Sequence, residues 1–360
     1  MTTIAKNDFR AALQSACEAH GLRLLGIVSL KEEAQEFARY QNWLAKGWHA
    51  GMDFLKNYLE LRRDPRGLLP GAESAIVLAL PYALGDRYQR HGSRPRIAQY
   101  ARYRDYHKTI QQQGKKLIQW LQREYAADAQ YRVVVDSAPL LERAIATRTA
   151  KGFIGKNTCY IHPEEGSFLL LGAIVSTWAI EPDEPANVVP SERKNGLGGC
   201  GSCRRCQVNC PTGALDEAYQ LDANLCLAYW TIEHRGTIPF DFWPWLAQYW
   251  FGCDICQLVC PYNRHLDVPE SRKKLSRQEL ESIDLFQVAT MSQADYEAWF
   301  GGTPLTRAKR SGLRRNALIA MTVTHDPRLE AALELLGDEG VLLETAKQIR
   351  CYRRGMTRMT

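Results

Sequence analysis

The sequence lacks a long apolar segment. No run among its 360 residues approaches the roughly 20 apolar residues that a membrane-spanning helix needs, so no transmembrane helix is predicted. Residues 1–13 show no basic stretch followed by an apolar run, and no twin-arginine signal occurs, so export is not expected. We therefore expect a cytoplasmic protein, in a reducing compartment where a framework of disulfides is unusual.

Low-complexity tracts and an extreme composition are also missing. The chain is 45% hydrophobic and 24% charged, which is ordinary for a soluble protein that buries a core. Its length allows two or three domains. The formal net charge of +6 is a weak indication of an anionic partner. Basic residues are concentrated in 304–316, which contains no acid, and again in 347–358.

Helices and strands alternate in the first half of the chain. Apolar, β-branched runs predict strands, and helical spacing predicts helices, over the following ranges: strands at 22–30, 75–80, 131–135 and 168–178, and helices at 8–20, 33–46, 106–125 and 139–150. This alternation indicates an α/β or α+β domain. Residues 181–199, rich in Pro, Glu, Asn and Gly, are a predicted linker or long loop, and the pattern is helical from about residue 276 onward.

Eight of the eleven cysteines lie between Cys200 and Cys260. The first motif is Cys200-x2-Cys203-x2-Cys206-x3-Cys210-Pro211. This spacing is typical of bacterial ferredoxins, in which three cysteines bind one 4Fe–4S cluster and the fourth binds a second cluster. Zinc sites more often show two Cys-x2-Cys pairs. The motif therefore predicts iron–sulfur clusters.

A second motif, Cys253-x2-Cys256-x3-Cys260-Pro261, has one cysteine fewer than a full set, and Cys226 is the only other cysteine in the segment. Two cubane clusters need eight thiolates. We therefore predict one cluster on Cys200, Cys203, Cys206 and Cys260, and the other on Cys210, Cys226, Cys253 and Cys256. The remaining three, Cys17, Cys159 and Cys351, are interpreted as buried or incidental thiols.

Several sequence blocks in a fixed order resemble the epoxyqueuosine reductase family, which completes the synthesis of queuosine in tRNA. They include RRDPRGLLPGAESAIVLALPY at 62–82, VVVDSAPLLERAIATRTAKGFIGKNT at 133–158, FGCDICQLVCPYN at 251–263 and RRNALIAM at 314–321. The resemblance implies a base-off cobalamin that is reduced through the two clusters by an external low-potential electron donor. The implied reaction is the two-electron reduction of epoxyqueuosine to queuosine at the wobble position of the tRNA anticodon, with loss of water.

The resemblance and the residue patterns together predict an α+β chain of three parts. Residues 1–180 form an α/β cobalamin-binding catalytic domain, residues 181–275 a ferredoxin-like domain with two clusters, and residues 276–360 a HEAT-like helical region that helps to hold the anticodon stem-loop. We expect a monomer in which the helical region packs on the rest of the chain, because about two helix pairs are too few to be stable alone.

Asp136 follows the predicted strand 131–135, and the resemblance implies that it is the proton donor. An expelled epoxide oxygen must be protonated, and a carboxylic acid can do this near neutral pH only if burial raises its pKa. The alternative reading from the residues is a helix N-cap, since Asp136 and Ser137 stand just before Pro139.

The resemblance also implies contacts to cobalamin from Arg62, Ala101, Asp136, Arg143, Asn157, Thr158, Ser167, Thr231, Cys253 and Asp254. Four basic residues are predicted phosphate contacts of the tRNA, although a solvated helix face explains their charge equally well: Lys309, Arg310, Arg314 and Arg315. Arg102 and Tyr103 stand where the family usually has Trp and Gly, which predicts a different lining on the substrate side.

Two other functions fit parts of the pattern. A reductive dehalogenase combines cobalamin with two clusters, but such enzymes usually carry a twin-arginine signal, which is missing here. A non-catalytic electron carrier would account for the cysteines but would leave the first 180 residues and Asp136 without a role.

Overall fold

The computed structural model describes residues 6–87, 95–183, 199–266, 268–337 and 340–357. Its helices are α1 (Lys6–Ala19), α2 (Ala34–Ala45), α3 (Leu59–Arg63), α4 (Tyr106–Glu124), α5 (Glu142–Arg148), α6 (Arg205–Val208), α7 (Leu227–Ile232), α8 (Trp243–Leu246), α9 (Ile255–Leu258), α10 (Glu270–Lys273), α11 (Leu285–Thr290), α12 (Gln293–Phe300), α13 (Lys309–Val323), α14 (Leu329–Glu334) and α15 (Gly340–Thr357). Its strands are β1 (Arg23–Ser29), β2 (Ser74–Pro81), β3 (Arg96–Ile97), β4 (Tyr131–Val135), β5 (Phe153–Ile154), β6 (Tyr160–Ile161), β7 (Leu169–Ser176) and β8 (Tyr249–Phe251). None of the described helices is both long and apolar enough to span a bilayer.

A four-stranded sheet in the order β1–β2–β7–β4 organises the first half of the chain. All three neighbouring pairs are antiparallel, so this half is α+β and not a parallel α/β sheet. The strand β2 lies inside the sheet and is buried along nearly its whole length. A strand that is covered on both faces has no exposed positions for polar residues, which explains its uninterrupted apolar run.

Alternate residues of β2 pack against different helices, as the pleat of a strand requires. Ala75 and Val77 belong to the core that includes Ile145 of α5, whereas Ile76 and Leu78 belong to the core on the opposite face, formed with α1 and α4. Because α4 packs directly on β4, the first turn of that helix lies beside the residue that follows the strand. This packing positions Asp136 next to Tyr106 and His107.

The cysteine-rich segment and the C-terminal helices share one core. Trp243, Trp250 and Phe251 pack in the same cluster of buried side chains as Phe300 and Leu313. The expectation that the C-terminal helices pack on the rest of the chain is therefore confirmed. The HEAT-like character of these helices and the three domain boundaries remain predictions. Most of the linker predicted at 181–199 lies outside the described residues.

Two basic residues of α13 are buried, which corrects their assignment as phosphate contacts. Arg314 is 3% exposed and donates to the carbonyl oxygens of Ala289 and Leu336. Arg315 is fully buried and donates to the carbonyl oxygens of Trp230, His234 and Gly236. Burial lowers the pKa of Arg315 to about 9, so its guanidinium stays charged at neutral pH. Arg315 joins α13 to the cysteine-rich segment, whereas Arg314 joins α13 to the neighbouring C-terminal helices. Because both side chains are buried, neither can reach a nucleic acid.

We expect Arg315→Met to lower the free energy of unfolding by about 3 kcal/mol, because three buried carbonyl groups lose their donor and each costs about 1 to 3 kcal/mol. The midpoint of thermal unfolding measures the loss. The exposed Lys309 on the same helix provides the control, since Lys309→Met should leave the midpoint almost unchanged. Equal midpoints for the two variants would contradict a structural role for Arg315.

Candidate active site

Asp136 lies at the centre of a chain of hydrogen-bonded side chains at the end of β4. Its Oδ2 accepts a hydrogen bond from the Tyr106 hydroxyl at 2.7 Å and lies 3.0 Å from Nε2 of His107. The other ring nitrogen of His107 lies 2.8 Å from Oδ1 of Asp105. A histidine held between two carboxylates is suited to storing and passing on a proton.

The local structure explains how these groups meet. Asp105 is the N-cap of α4, and its carboxylate accepts a hydrogen bond from the backbone N–H of His107 at 3.0 Å. The rings of Tyr106 and His107 stack at 4.1 Å, so both reach the same carboxylate. Asp136 has a φ of 27°, a value that residues with a side chain rarely adopt and that is often found at functional sites.

The charge state of Asp136 differs from the sequence-based expectation. Desolvation favours the neutral acid, but hydrogen bonds from His107 and Tyr106 and the positive charges nearby outweigh it, so the pKa of Asp136 is lowered from its ordinary value. The side chain is 62% exposed. The hydrogen bond to Asp136 in turn raises the pKa of His107. The expectation of a carboxyl whose pKa is raised by burial is therefore wrong, and a proton shared between the two groups favours His107 over Asp136.

The alternative reading of Asp136 as a helix N-cap is also wrong. Helix α5 begins at Glu142, later than the predicted start at 139, and its N-cap is Leu141. Asp136 therefore does not cap α5, and its carboxylate is free to bond with His107 and Tyr106.

A second ionisable cluster joins α3 and α5. Burial raises the pKa of Glu142 to about 8, so this carboxyl is mostly neutral at pH 7. Its Oε1 and the Nε of Arg62 are buried and have no hydrogen-bond partner among the described residues. The guanidinium of Arg62 lies 5.4 Å from the ring centre of Tyr40. Arg143 donates to the carbonyl oxygen of Thr158 at 2.6 Å. Buried polar atoms without partners are where a bound polar ligand is expected.

The thiols of the cysteine-rich segment lie in two groups. In the first group, burial raises the pKa of Cys206, and the charges of Cys200 and Cys203 raise it further. Burial also raises the pKa of Cys260, and the charges of Cys200 and Cys206 add to this rise. In the second group, burial raises the pKa of Cys253, and the charges of Cys226 and Cys210 add to it, while Cys256 lies close to Cys253 and Cys226. Which of these cysteines bind iron remains a prediction.

The eight thiols suit iron–sulfur clusters by their number and chemistry, since two cubanes take four thiolates each. Among the described residues, no three His, Cys, Asp or Glu side chains converge as ligands of a single metal ion would. Backbone donors are also present, since the N–H of Lys156 lies 3.3 Å from the sulfur of Cys200. Such hydrogen bonds to sulfur tune the potential of iron–sulfur clusters, so the residues fit two clusters.

The cysteines outside the motifs have different surroundings. Cys17 is fully buried in the apolar core, as interpreted from the sequence, and Cys351 is exposed. Cys159 follows Thr158 and lies against the second group, where a hydrogen bond to Cys256 lowers its pKa. The sequence gives no sign of this contact, because Cys159 and Cys256 lie far apart in the chain.

Several residues predicted to contact a cofactor hydrogen-bond within or next to the cysteine loops. The Thr231 hydroxyl accepts a hydrogen bond from Gly252 N–H at 3.0 Å, and Asp254 accepts one from Gln99 N–H at 2.7 Å. The Asn157 side chain donates to the carbonyl oxygen of Cys256 at 3.3 Å. All three side chains are buried, as are Ala101 and Ser167, which were also predicted to contact cobalamin. The contacts of these five residues with cobalamin remain predictions. Arg102 is also buried, in an ion pair with Asp86.

The basic residues at the start of α13 differ in exposure. Lys309 is exposed, whereas Arg310 is partly buried and donates to the carbonyl oxygen of Met291 at 2.9 Å. Arg307, which the sequence analysis did not single out, is half exposed and pairs with Glu233 at 2.8 and 3.0 Å. Its charge contributes to the lowered pKa of Asp136, so Arg307 lies in the surroundings of that site. No local sequence signal distinguishes Arg307 from its basic neighbours.

Two family models match the chain. Residues 62–137 match the family described as epoxyqueuosine reductase QueG, DUF1730, and residues 199–263 match a 4Fe–4S double cluster binding domain. The second match supports two iron–sulfur clusters in the segment that contains all eight cysteines of the two groups.

Curated relatives resemble nearly the whole chain. The epoxyqueuosine reductase of Gloeobacter violaceus is 36% identical over 331 residues, which cover 89% of this chain and 98% of that protein. The epoxyqueuosine reductase of Xanthomonas campestris pv. campestris is 33% identical over 334 residues, which cover 91% of this chain and 90% of that protein.

Solved structures show the same fold. An epoxyqueuosine reductase in complex with an epoxyqueuosine-modified tRNA-Tyr stem loop superimposes with a TM-score of 0.81 at 26% identity, over 95% of this chain and 89% of that one. A Bacillus subtilis epoxyqueuosine reductase whose catalytic aspartate loop is swung out of the active site gives a TM-score of 0.80 at 25% identity, over 96% of this chain and 90% of that one.

Proposed function

We infer that this chain, which belongs to the epoxyqueuosine reductase family, reduces epoxyqueuosine to queuosine in tRNA. The observation that carries this function is the match to epoxyqueuosine reductases along nine-tenths of the chain, which includes both the Asp136 network and the two groups of cysteines. The reaction removes the epoxide oxygen as water, so it consumes two electrons and two protons.

The protons come through the Asp136 network. Asp105 orients His107, and a proton shared between His107 and Asp136 favours the imidazole, because the pKa of His107 is raised and that of Asp136 is lowered. When a substrate covers Asp136 and excludes water, the loss of solvation favours transfer of this proton to the carboxylate. Asp136 then donates it to the leaving oxygen. His107, whose side chain is 34% exposed, takes a new proton from solvent, and this second proton follows the same path to complete the water molecule. The swung-out catalytic aspartate loop of the Bacillus subtilis relative supports an exposed, mobile aspartate in this role.

Two electron-transfer cofactors complete the site. The cysteines carry two 4Fe–4S clusters in the assignment given above, and an external low-potential donor reduces them. Cobalamin bound at this site would supply the electron pair for cleavage of the carbon–oxygen bond. Arg62, Glu142, Arg143 and Thr158 would hold it, because the unpaired buried atoms of Arg62 and Glu142 suit the amides of its rim. Cys253 and Asp254 would contact it from the cluster side.

The anticodon stem-loop is the part of the tRNA that the protein holds. The relative solved with a modified tRNA-Tyr stem loop supports this substrate. Lys309 and Arg310 remain proposed phosphate contacts, to which the structure adds the half-exposed Arg307. The modified base leaves its stack to reach Asp136, which a base in a loop does at low cost. The protein acts as a cytoplasmic monomer.

The test uses anaerobically purified protein with both clusters, cobalamin, a chemical low-potential reductant and tRNA that carries epoxyqueuosine. We expect nucleoside mass spectrometry to show a product lighter by one oxygen atom, which depends on both protein and cobalamin. An unchanged nucleoside under full reduction would exclude this function.

The pH dependence of turnover should follow His107. Its pKa is raised from the ordinary value of 6.5, so the protonated form is present at low pH and is lost as pH rises through the raised value. Asp136 stays ionised across this range because its pKa is lowered. We therefore expect turnover to fall with rising pH above about 6.5, and His107→Gln to give a slower enzyme without this fall. A wild-type rate that rises with pH would contradict proton storage on His107.

A further inference from the structure

Two aromatic side chains near the Asp136 site are unusually exposed. Phe54 is 45% exposed and Tyr58 is 70% exposed, although rings of this size are normally covered by other side chains. Both belong to one short segment, a 3-10 helix at Asp53–Lys56 and the residue that precedes α3. Tyr58 also has left-handed backbone angles, φ 56° and ψ 41°. Such angles are unfavourable for a residue with a side chain, and strain of this kind is concentrated at functional sites.

Each ring is linked to the surroundings of Asp136. The guanidinium of Arg307 lies 5.1 Å from the ring centre of Phe54, and the same guanidinium helps to lower the pKa of Asp136. Tyr58 lines a groove of about 620 Å³ that is also lined by Ser137 and Pro139, which closely follow Asp136 in the chain. Phe54 is therefore linked to Asp136 through Arg307, and Tyr58 through the residues that directly follow Asp136.

Basic side chains lie beside both rings. Lys115 and Arg132 also line the groove beside Tyr58, and Arg307 covers Phe54. Exposed aromatic rings next to Lys and Arg side chains are typical of surfaces that bind single-stranded nucleic acid, where bases stack on the rings and cations meet the phosphates. A base that leaves its stack to reach Asp136 also removes a stacking partner from its neighbours in the loop. The exposed rings of Phe54 and Tyr58 can take the place of the lost stacking partner.

We propose that Phe54 and Tyr58 form a stacking platform for the unpaired anticodon-loop bases that flank the base being reduced. This inference rests on the proposed function, because it takes the anticodon loop as the substrate. Arg307 orders the platform in advance, since it lies over the Phe54 ring and is itself fixed by Glu233. Stacking accepts any base, so the platform strengthens binding without selecting the sequence.

The test measures the Kd of a fluorescently labelled tRNA-Tyr anticodon stem-loop by anisotropy at several salt concentrations. Phe54→Ala and Tyr58→Ala should each raise Kd about 5- to 150-fold, since stacking contributes about 1 to 3 kcal/mol per base. The slope of log Kd against log salt should stay the same, because no phosphate contact is lost. Tyr58→Phe keeps the ring and should bind like the wild type. Phe240, 39% exposed and packed near Trp243, gives the matched control Phe240→Ala, which should not change Kd.

Cobalamin titration by absorbance separates this proposal from a role in cofactor binding. We expect both alanine variants to bind cobalamin, to keep the cluster absorbance and to unfold at the wild-type temperature. Unchanged RNA affinity in both alanine variants would overturn the platform, as would a loss of cobalamin binding without a loss of RNA binding. If the wild type reduces the tRNA but the variants bind it normally, only the platform fails; if the wild type neither binds nor reduces it, the proposed function fails as well.

Discussion

Asp136→Asn is expected to lower turnover of epoxyqueuosine-containing tRNA by about a hundredfold to ten-thousandfold, the usual contribution of a positioned general acid. The asparagine can still accept a hydrogen bond from Tyr106, but it cannot take a proton from His107 and pass it to the leaving oxygen. Because Asp136 is 62% exposed, the substitution should leave the fold, the clusters and the bound cobalamin unchanged.

The rate is measured by nucleoside mass spectrometry under a saturating chemical reductant, and the cofactors by absorbance and EPR. Ser137→Ala, at the next position, is the control and should retain most of the activity. His107→Gln should also be slow, and combining it with Asp136→Asn should add little further loss, because the two groups act as one unit. A fast Asp136→Asn enzyme would exclude Asp136 as the proton donor.

Cys210→Ala is expected to lower the iron content from about eight to about four atoms per chain and to abolish turnover. The motif places Cys210 beside Cys206, but the proposed assignment gives it to the cluster with Cys226, Cys253 and Cys256. The loss should therefore affect this second cluster and leave the cluster on Cys200 and its partners visible by EPR.

Cys260→Ala tests the exchange from the other side and should remove the first cluster instead. Cys159→Ala is the matched control: its thiol touches Cys256, yet it is not an assigned ligand, so the variant should keep about eight irons. Iron analysis and EPR of anaerobically purified variants distinguish these outcomes. If Cys159→Ala lost a cluster while Cys210→Ala kept both, the ligand assignment would have to be redrawn around Cys159.

The sequence determined the local structure and the chemistry of the cysteines. The strand predicted at 131–135 is observed as β4, and the helix predicted at 106–125 is observed as α4. These features depend on the spacing of apolar residues within one element, which the sequence contains directly. The cysteine spacing is equally local, so the double cluster motif is readable without a structure. The identity of Asp136 as a site residue came from the resemblance, since its neighbours alone favoured a helix cap.

The tertiary structure decided burial, charge state and the partners of the site residues. Arg314 and Arg315 belong to a basic run that predicted an RNA surface, but α13 turns both into the core. Asp136 was expected to be a buried acid, but contact with His107, 29 positions earlier, keeps it ionised. Phe54 and Arg307 meet although they lie in different parts of the chain. Burial and pKa depend on what other elements bring to a residue, and such distant packing leaves no local pattern in the sequence.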